Sequence, residues 1–193
     1  MKTKEQIIRE QNWVKLAPII MERWQLNKLL NKRDVVLDFG CGQGVFTNIL
    51  SKRFTKCYFI GFDIEKRELE KAKSWYQRKN LKFVDRLPSK YDAIVSTFSF
   101  HETKNLYKEL KIICSMLKNN GKIFIYDFRK NTKAKFRVVY EKNPKKGSFE
   151  EEYKEHNRWS LDQFENIMAE AGFKKILIKP HKANFLFYIG RKR

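Results

Sequence analysis

Acidic residues and glycines at the ends of two apolar runs are the part of this sequence best suited to chemistry. The first run, over 35–39, contains Asp38 and leads into alternating glycines, and the second, over 58–62, is followed by Asp63. In an open α/β sheet, ligands bind beyond the carboxyl ends of the strands, where glycine lets the backbone approach them. A carboxylate that closes the second strand can accept hydrogen bonds from ribose hydroxyls. The two features together predict a nucleoside-containing cofactor.

The glycine spacing distinguishes between cofactor classes. The dinucleotide fingerprint G-x-G-x-x-G/A needs a third small residue, and the positions where it would fall hold Val45 and Thr47. The pattern present is D-x-G-x-G-x-G, at Asp38, Gly40, Gly42 and Gly44. Together with Asp63 it resembles the cofactor motif of class I S-adenosylmethionine (SAM)-dependent methyltransferases. The alternative interpretation is a tight strand-to-helix turn that binds no ligand.

Composition is typical of a folded domain without disulfides. The chain has 193 residues with 42% hydrophobic and 15% aromatic residues, enough for one domain with a substantial core. Its three cysteines are odd in number and lack C-x-x-C spacing, which favours reduced thiols over disulfides or zinc. No apolar run is long enough to span a bilayer and no signal-peptide core is evident. We therefore expect a single cytoplasmic domain over 1–193 with no membrane association.

The charge balance leaves two hypotheses open. Lys and Arg number 42 against 22 Asp and Glu, a net charge of +20, which suggests nucleic-acid binding. Lysine outnumbers arginine, however, whereas bidentate phosphate recognition favours arginine. The basic residues concentrate between Arg129 and Gly147, a stretch that contains eight of them and a single acidic residue, Glu141. This basic segment, 129–147, is either a solvated loop or a surface that binds RNA or another polyanion.

Apolar runs alternate with helical patterns along most of the chain. A stretch over 6–30 predicts one or two helices, with Pro18 suited to a first turn. Strands are predicted at 35–39, 57–62, 81–84, 91–97 and 122–128, the last preceded by the turn signal Asn119-Asn120-Gly121. Helices are predicted near 45–52, 66–78 and 105–117. Strand–helix alternation of this kind favours a parallel sheet with helices on both faces.

The C-terminal region closes the predicted sheet. Ser160 and Gln163 form a capping box for a helix that Gly172 ends. The apolar runs at 175–178 and 185–189 are joined too closely for a helical crossover, so they predict an antiparallel hairpin. The element order is similar to the class I methyltransferase fold. The resemblance, over 35–193, implies a doubly wound α/β sheet of seven mostly parallel strands, the last antiparallel, with a helical cap at 1–32 and an insertion at 129–159.

The resemblance implies a cofactor role for nine residues. Asp38 would orient the ammonium of SAM, and Gly40 and Gly42 would let the loop backbone pass close to its methionine portion. Asp63 would accept from the ribose diol. The remaining residues would contact the adenine (Ile64 and Asp85), the ammonium through backbone carbonyls (Ser96 and Thr97) and the sulfur (Phe98). For Asp85, which Arg86 follows, a surface salt bridge is the alternative. Phe46, in the same motif, is expected to pack the helix on the sheet.

The acceptor site of the family opens after the fourth strand. His101 lies there and is the candidate general base, with a reference pKa near 6.5; a helix-packing histidine is the alternative. His101 is also a candidate for substrate binding, together with Trp13, Tyr153 and Arg158, while Trp24 is expected to be core. Asp127 is a lone metal-ligand candidate that loop hydrogen bonding explains equally well, so no metal is predicted.

The motifs that are missing narrow the acceptor. The fourth-strand motif of enzymes that methylate adenine nitrogens, Asp/Asn-Pro-Pro-aromatic, is replaced here by Ser96-Thr97-Phe98-Ser99, and the Pro-Cys pair of cytosine C5 enzymes is absent. Our first hypothesis is therefore a methyltransferase for a small-molecule acceptor. The second is an RNA or ribosomal-protein methyltransferase that uses the basic segment. The third, of another class, is an inactive SAM- or nucleoside-binding partner protein.

Overall fold

The computed structural model describes residues 2–87, 90–142 and 148–193. The chain divides into two compact units, Met1–Val95 and Ser96–Arg193. The boundary falls inside one strand, so each unit is described by itself.

The first unit carries the N-terminal helices and the first three strands. Its elements are α1 (Lys4–Arg23), α2 (Leu26–Leu29), β1 (Val35–Phe39), α3 (Val45–Arg53), β2 (Tyr58–Phe62), α4 (Lys66–Trp75), β3 (Leu81–Val84) and most of β4 (Tyr91–Thr97). Strand β1 pairs in parallel with both β2 and β4, and β2 pairs in parallel with β3. Buried apolar side chains such as Val36, Leu37 and Ile94 explain why β1 and β4 are central strands.

The second unit carries the remaining elements. They are a single 3-10 turn (Phe100–Glu102), α5 (Leu106–Met116), β5 (Leu117–Phe128), α6 (Lys133–Lys142), α7 (Phe149–His156), α8 (Leu161–Glu170), β6 (Phe173–His181) and β7 (Phe185–Lys192). The predicted capping box of α8 is present, since the Ser160 side chain accepts from Gln163 N and the Gln163 side chain accepts from Ser160 N. Gly172, with φ 105°, follows the helix as expected.

The seven strands follow the order β3-β2-β1-β4-β5-β7-β6. Strand β7 is antiparallel to both of its neighbours, β5 and β6, which confirms the predicted hairpin and the predicted antiparallel insertion of the last strand. The α/β class predicted from strand–helix alternation is therefore confirmed. Within the part of the chain that is described, no helix combines the length and the apolarity that crossing a bilayer requires.

Two local predictions were wrong. Pro18 lies inside α1, not in a first turn, although an interior proline removes a backbone hydrogen bond. Its neighbours Ala17 and Ile20 are completely buried, so packing of that helix face outweighs the local cost. The predicted turn at Asn119–Gly121 is part of β5, which begins at Leu117; Asn120 keeps a turn-like φ of 60°, which Asn tolerates.

Part of the basic segment is helical. Its residues 133–142 form α6, which packs against α7 through the buried ring of Phe136 and the rings of Phe149 and Tyr153. Sequence periodicity missed these helices because few of their described side chains are buried, Phe136 in α6 and His156 in α7. Residues 143–147, including Lys145 and Lys146 of the predicted anion surface, lie outside the described residues.

Candidate functional site

The loop after β1 is a tight turn that glycine makes possible. Gly40, Gly42 and Gly44 have φ values of 75°, 51° and 74°, in the left-handed region that other residues rarely adopt. A Cβ on Gly44 would also stand 2.5 Å from the Phe83 ring, so this position excludes any side chain. The loop then passes directly into the first turn of α3.

The carboxylate of Asp63 holds this loop in place. Its Oδ2 accepts from the backbone N–H of Gly42 at 2.7 Å, and its Oδ1 accepts from Glu65 N at 2.9 Å. The backbone N–H groups of Gly40 and Cys41 both donate to the carbonyl oxygen of Phe62, each at 2.9 Å. Because each carboxylate oxygen has two lone pairs, Asp63 keeps capacity for a ligand hydroxyl while it anchors the loop.

Asp38 is buried at the end of β1, with its two oxygens in different situations. Its Oδ2 accepts from the Thr47 hydroxyl at 2.6 Å, whereas its buried Oδ1 has no hydrogen-bond partner among the described residues. Only 1% of Asp38 is exposed. Burial raises the pKa of this carboxyl to about 7, and the nearby charge of Asp63 acts in the same direction. A buried carboxylate oxygen without a donor is costly, so this position suits a cationic ligand.

The other predicted cofactor residues of the first unit are at the surface. Ile64 is 81% exposed immediately after Asp63, and Asp85 is exposed after β3. The ring of Phe46 is buried against Trp13 and Trp24 at centroid distances of 5.2 and 5.9 Å. Trp24 is completely buried, which confirms it as core, while Trp13 is half-buried.

The predicted cofactor residues of the second unit lie at the end of β4. Ser96 and Thr97 are buried, and the Ser96 hydroxyl has no hydrogen-bond partner among the described residues. Phe98 has a φ of 55° and donates its N–H to the Tyr126 carbonyl at 2.9 Å. Its ring packs against those of Tyr126, Phe128 and Phe185.

Asp127, near the end of β5, organises the turn after β4. Its Oδ2 accepts from the backbone N–H groups of Ser99 and Phe100 at 3.1 and 2.7 Å. Its Oδ1 accepts from Phe128 N and is 2.7 Å from Nδ1 of His101. Asp127 therefore stabilises this loop by hydrogen bonds, which is one of the two roles that its position in the sequence allowed.

His101 is held in one tautomer by this carboxylate. Because Asp127 accepts at Nδ1, the Nδ1 atom of His101 carries the proton and Nε2 carries the lone pair. The ring stacks on that of His156 at 4.5 Å and meets Phe128 edge-on; His101 and His156 are each 3% exposed. Nε2 of His101 lies 3.6 Å from the carboxylate of Glu102, whose side chain is 66% exposed. Nδ1 of His101 is thus engaged by Asp127, and Nε2 is the ring nitrogen that this carboxylate leaves unbound.

Tyr153 and Arg158 make local contacts within the second unit. The Tyr153 hydroxyl donates to the Asn131 carbonyl at 2.8 Å, and its ring packs against Phe136. The Arg158 guanidinium donates to the backbone carbonyls of His101 and Thr103 and lies over the Trp159 ring. Arg158 therefore caps the turn that carries His101.

Two residues of the site, Thr47 and His156, were not predicted from the sequence. In the sequence, Thr47 is noted only because it is too large for the dinucleotide fingerprint. Its hydrogen bond to Asp38 depends on how α3 packs against β1. His156 stacks on His101 although 55 positions separate them in the chain. A β-branched hydroxyl three residues after the last loop glycine was the one available signal for Thr47.

Comparison with known proteins gives the chain its family. A family model described as a methyltransferase domain matches residues 9–178. The malonyl-[acyl-carrier protein] O-methyltransferase of Priestia megaterium is 24% identical over 148 residues, which are 73% of this chain and 54% of that protein. The chain thus spans about half the length of this curated relative. The match over most of the chain shows that it belongs to the methyltransferase-domain family.

Solved structures share the fold. A Haloferax volcanii protein in complex with the Trm112 methyltransferase activator superposes with a TM-score of 0.72 at 15% identity, covering 95% of this chain and 93% of that one. Phosphoethanolamine N-methyltransferase 2 of Haemonchus contortus, in complex with SAM, gives a TM-score of 0.72 at 15% identity, covering 92% and 52%. The fold is therefore that of the class I SAM-dependent methyltransferases, as the motif indicated.

Proposed function

We propose that this chain transfers a methyl group from SAM to a small-molecule acceptor. The observation that carries the cofactor assignment is the buried Asp38 Oδ1, an acceptor without a donor beside a glycine loop. When bound, SAM supplies an electrophilic methyl group on a sulfonium whose leaving group is neutral. The protein then has mainly to align the acceptor and exclude water.

The residues of the first unit fit this cofactor. Asp38 would accept from its ammonium, and the loop at Gly40 and Gly42 would lie against its methionine portion. Asp63 would accept from the ribose hydroxyls with the lone pairs that the backbone leaves unused. Ile64 would cover one face of the adenine and Asp85 would accept from its edge.

The acceptor assignment is supported by the charges around α6. Lys133 pairs with Glu150 at 2.8 Å, and the first turn of α7 carries two further carboxylates, on Glu151 and Glu152. A surface built to bind polyanions would not offer carboxylates beside its cations, because they repel phosphate. The curated relative above is named for malonyl-[acyl-carrier protein], in which the malonyl group is carried on a protein and not on a nucleic acid.

His101 is the proposed general base for an acceptor that must lose a proton. Its Nδ1 is fixed by Asp127, so Nε2 is the atom that would take the proton. Trp13, Tyr153 and Arg158 remain candidates for substrate contact. The Arg158 guanidinium acts in part through the carbonyl of His101, to which it donates at 3.3 Å.

A labelling experiment tests the proposal. SAM labelled in its methyl group is incubated with the protein and with a low-molecular-mass cell extract, total RNA or ribosomal protein in separate reactions. We expect label in the low-molecular-mass fraction, and none there with the control variant Asp38→Ala. Calorimetry with SAM and with its demethylated product should show binding of both.

The alternatives give different results. Label in nuclease-sensitive material, lost as salt is raised, would support the RNA hypothesis over ours. Binding of SAM without transfer to any fraction would favour an inactive binding partner. Absence of SAM binding would remove the cofactor assignment itself.

A further inference from the structure

The buried hydroxyl of Thr47 donates to one oxygen of the Asp38 carboxylate. We propose that Thr47 is a positioning residue, whose hydroxyl holds Oδ2 of Asp38 so that Oδ1 stays available to accept from the ammonium group of SAM. This inference rests on the proposed function for its ligand, but the contact between the two side chains can be tested without any ligand.

The geometry joins two rigid elements. Asp38 is in β1, and Thr47 is in the first turn of α3, directly after the glycine loop. The 2.6 Å between Thr47 Oγ1 and Asp38 Oδ2 is typical of a hydroxyl that donates to a charged carboxylate. Thr47 is completely buried, so solvent does not compete for this bond.

The surroundings of Asp38 have opposing effects on its pKa. Burial and the charge of Asp63 raise the pKa of Asp38, whereas the Thr47 hydroxyl lowers it because it binds the charged form. Burial raises the pKa of the nearby Cys41 thiol, and the charge of Asp38 raises it further. This thiol therefore stays neutral. Asp38 therefore ionises close to neutral pH, and Thr47 is the described residue that favours its charged form by a hydrogen bond.

This arrangement makes cofactor affinity depend on pH. A cation binds the ionised carboxylate, whereas the neutral acid predominates below the pKa of about 7. Affinity for SAM should consequently fall by about tenfold for each pH unit below 7 and level off above it. Without the hydroxyl, the same curve should move to higher pH.

The test compares Thr47→Val with Thr47→Ser. Valine keeps the volume and the β-branch but lacks the hydroxyl, and serine keeps the hydroxyl. NMR of the carboxyl carbon should show the Asp38 midpoint of the ligand-free protein rising by about one pH unit in Thr47→Val and staying within about 0.3 in Thr47→Ser. Calorimetry at pH 7 should show SAM affinity about fivefold lower in Thr47→Val, because the ionised fraction of Asp38 falls from about one half to about one eleventh, and the difference should nearly disappear above pH 8.5.

Other outcomes overturn the inference. An unchanged Asp38 midpoint, or an affinity loss equal at every pH, would make Thr47 a packing residue only. If Thr47→Val does not fold, Thr47→Ala removes the hydroxyl without adding volume and takes its place. A wild-type protein that binds no SAM at any pH would remove the proposed function, whereas the ligand-free titration would still decide the role of Thr47.

Discussion

Two buried aspartates, one in each unit of the chain, differ in how their oxygens are satisfied. Asp127 receives backbone N–H groups from Ser99, Phe100 and Phe128 and the Nδ1 proton of His101. Asp38 receives one hydroxyl on Oδ2, and its Oδ1 has no partner among the described residues. Both are almost fully buried, at 2% and 1% exposure. Burial alone therefore does not distinguish these two carboxylates; the count of donors does.

The difference in donor count also predicts different roles for the two aspartates. A carboxylate with four donors has its oxygens satisfied within the protein, and Asp127 thereby fixes the turn that carries His101. A carboxylate with one donor is destabilised when charged and gains most from an added cation. We therefore expect substitutions of Asp127 to change folding and substitutions around Asp38 to change binding.

The largest expected effect is on the stability of Asp127→Asn. The new amide would turn an N–H group toward backbone N–H donors or lose the His101 contact, so the free energy of unfolding should fall by about 3 kcal/mol. Asp38→Asn is the matched control, since an amide removes a costly buried charge there, and its change should stay within about 1 kcal/mol. Chemical denaturation of both variants measures this; equal losses would mean that the two carboxylates do not differ as described.

The next effect concerns the first unit. Asp63→Ala removes the acceptor that anchors Gly42 N and the proposed acceptor for the ribose hydroxyls, so affinity for SAM should fall about a hundredfold. Glu65→Ala is the control, because only the backbone N–H of Glu65 bonds to Asp63. Calorimetry distinguishes them, and an Asp63→Ala protein with wild-type affinity would separate the loop from the cofactor.

Sequence reasoning succeeded where local chemistry determines geometry. The glycines after β1 form a tight turn from strand to helix, with positive φ at all three, and the Ser160–Gln163 capping box starts α8 as predicted. Strand–helix alternation was sufficient for the sheet class, since parallel strands need crossover helices. The residues named for the cofactor and acceptor remain predictions.

Sequence reasoning failed where contacts between residues far apart in the chain determine the local structure. An interior proline at Pro18 is tolerated because α1 buries Ala17 and Ile20, which no local rule reveals. The buried ring of Phe136 in α6 contacts Phe149 and Tyr153, which follow 13 and 17 residues later in another helix. The stack of His101 on His156 joins two helical segments that no spacing rule connects.

The smallest expected effect tests whether the first unit has a free apolar contact for a ligand. Ile64 is 81% exposed next to Asp63, so Ile64→Ser should change the free energy of unfolding by no more than about 0.5 kcal/mol. If the adenine face packs there, SAM affinity should fall about fivefold, in line with the loss of one partial apolar contact of about 1 kcal/mol. Ile176→Ser, at a 48% exposed position of β6, should change neither quantity. Unchanged affinity in Ile64→Ser would leave that side chain an ordinary exposed isoleucine and confine binding in this unit to its polar groups.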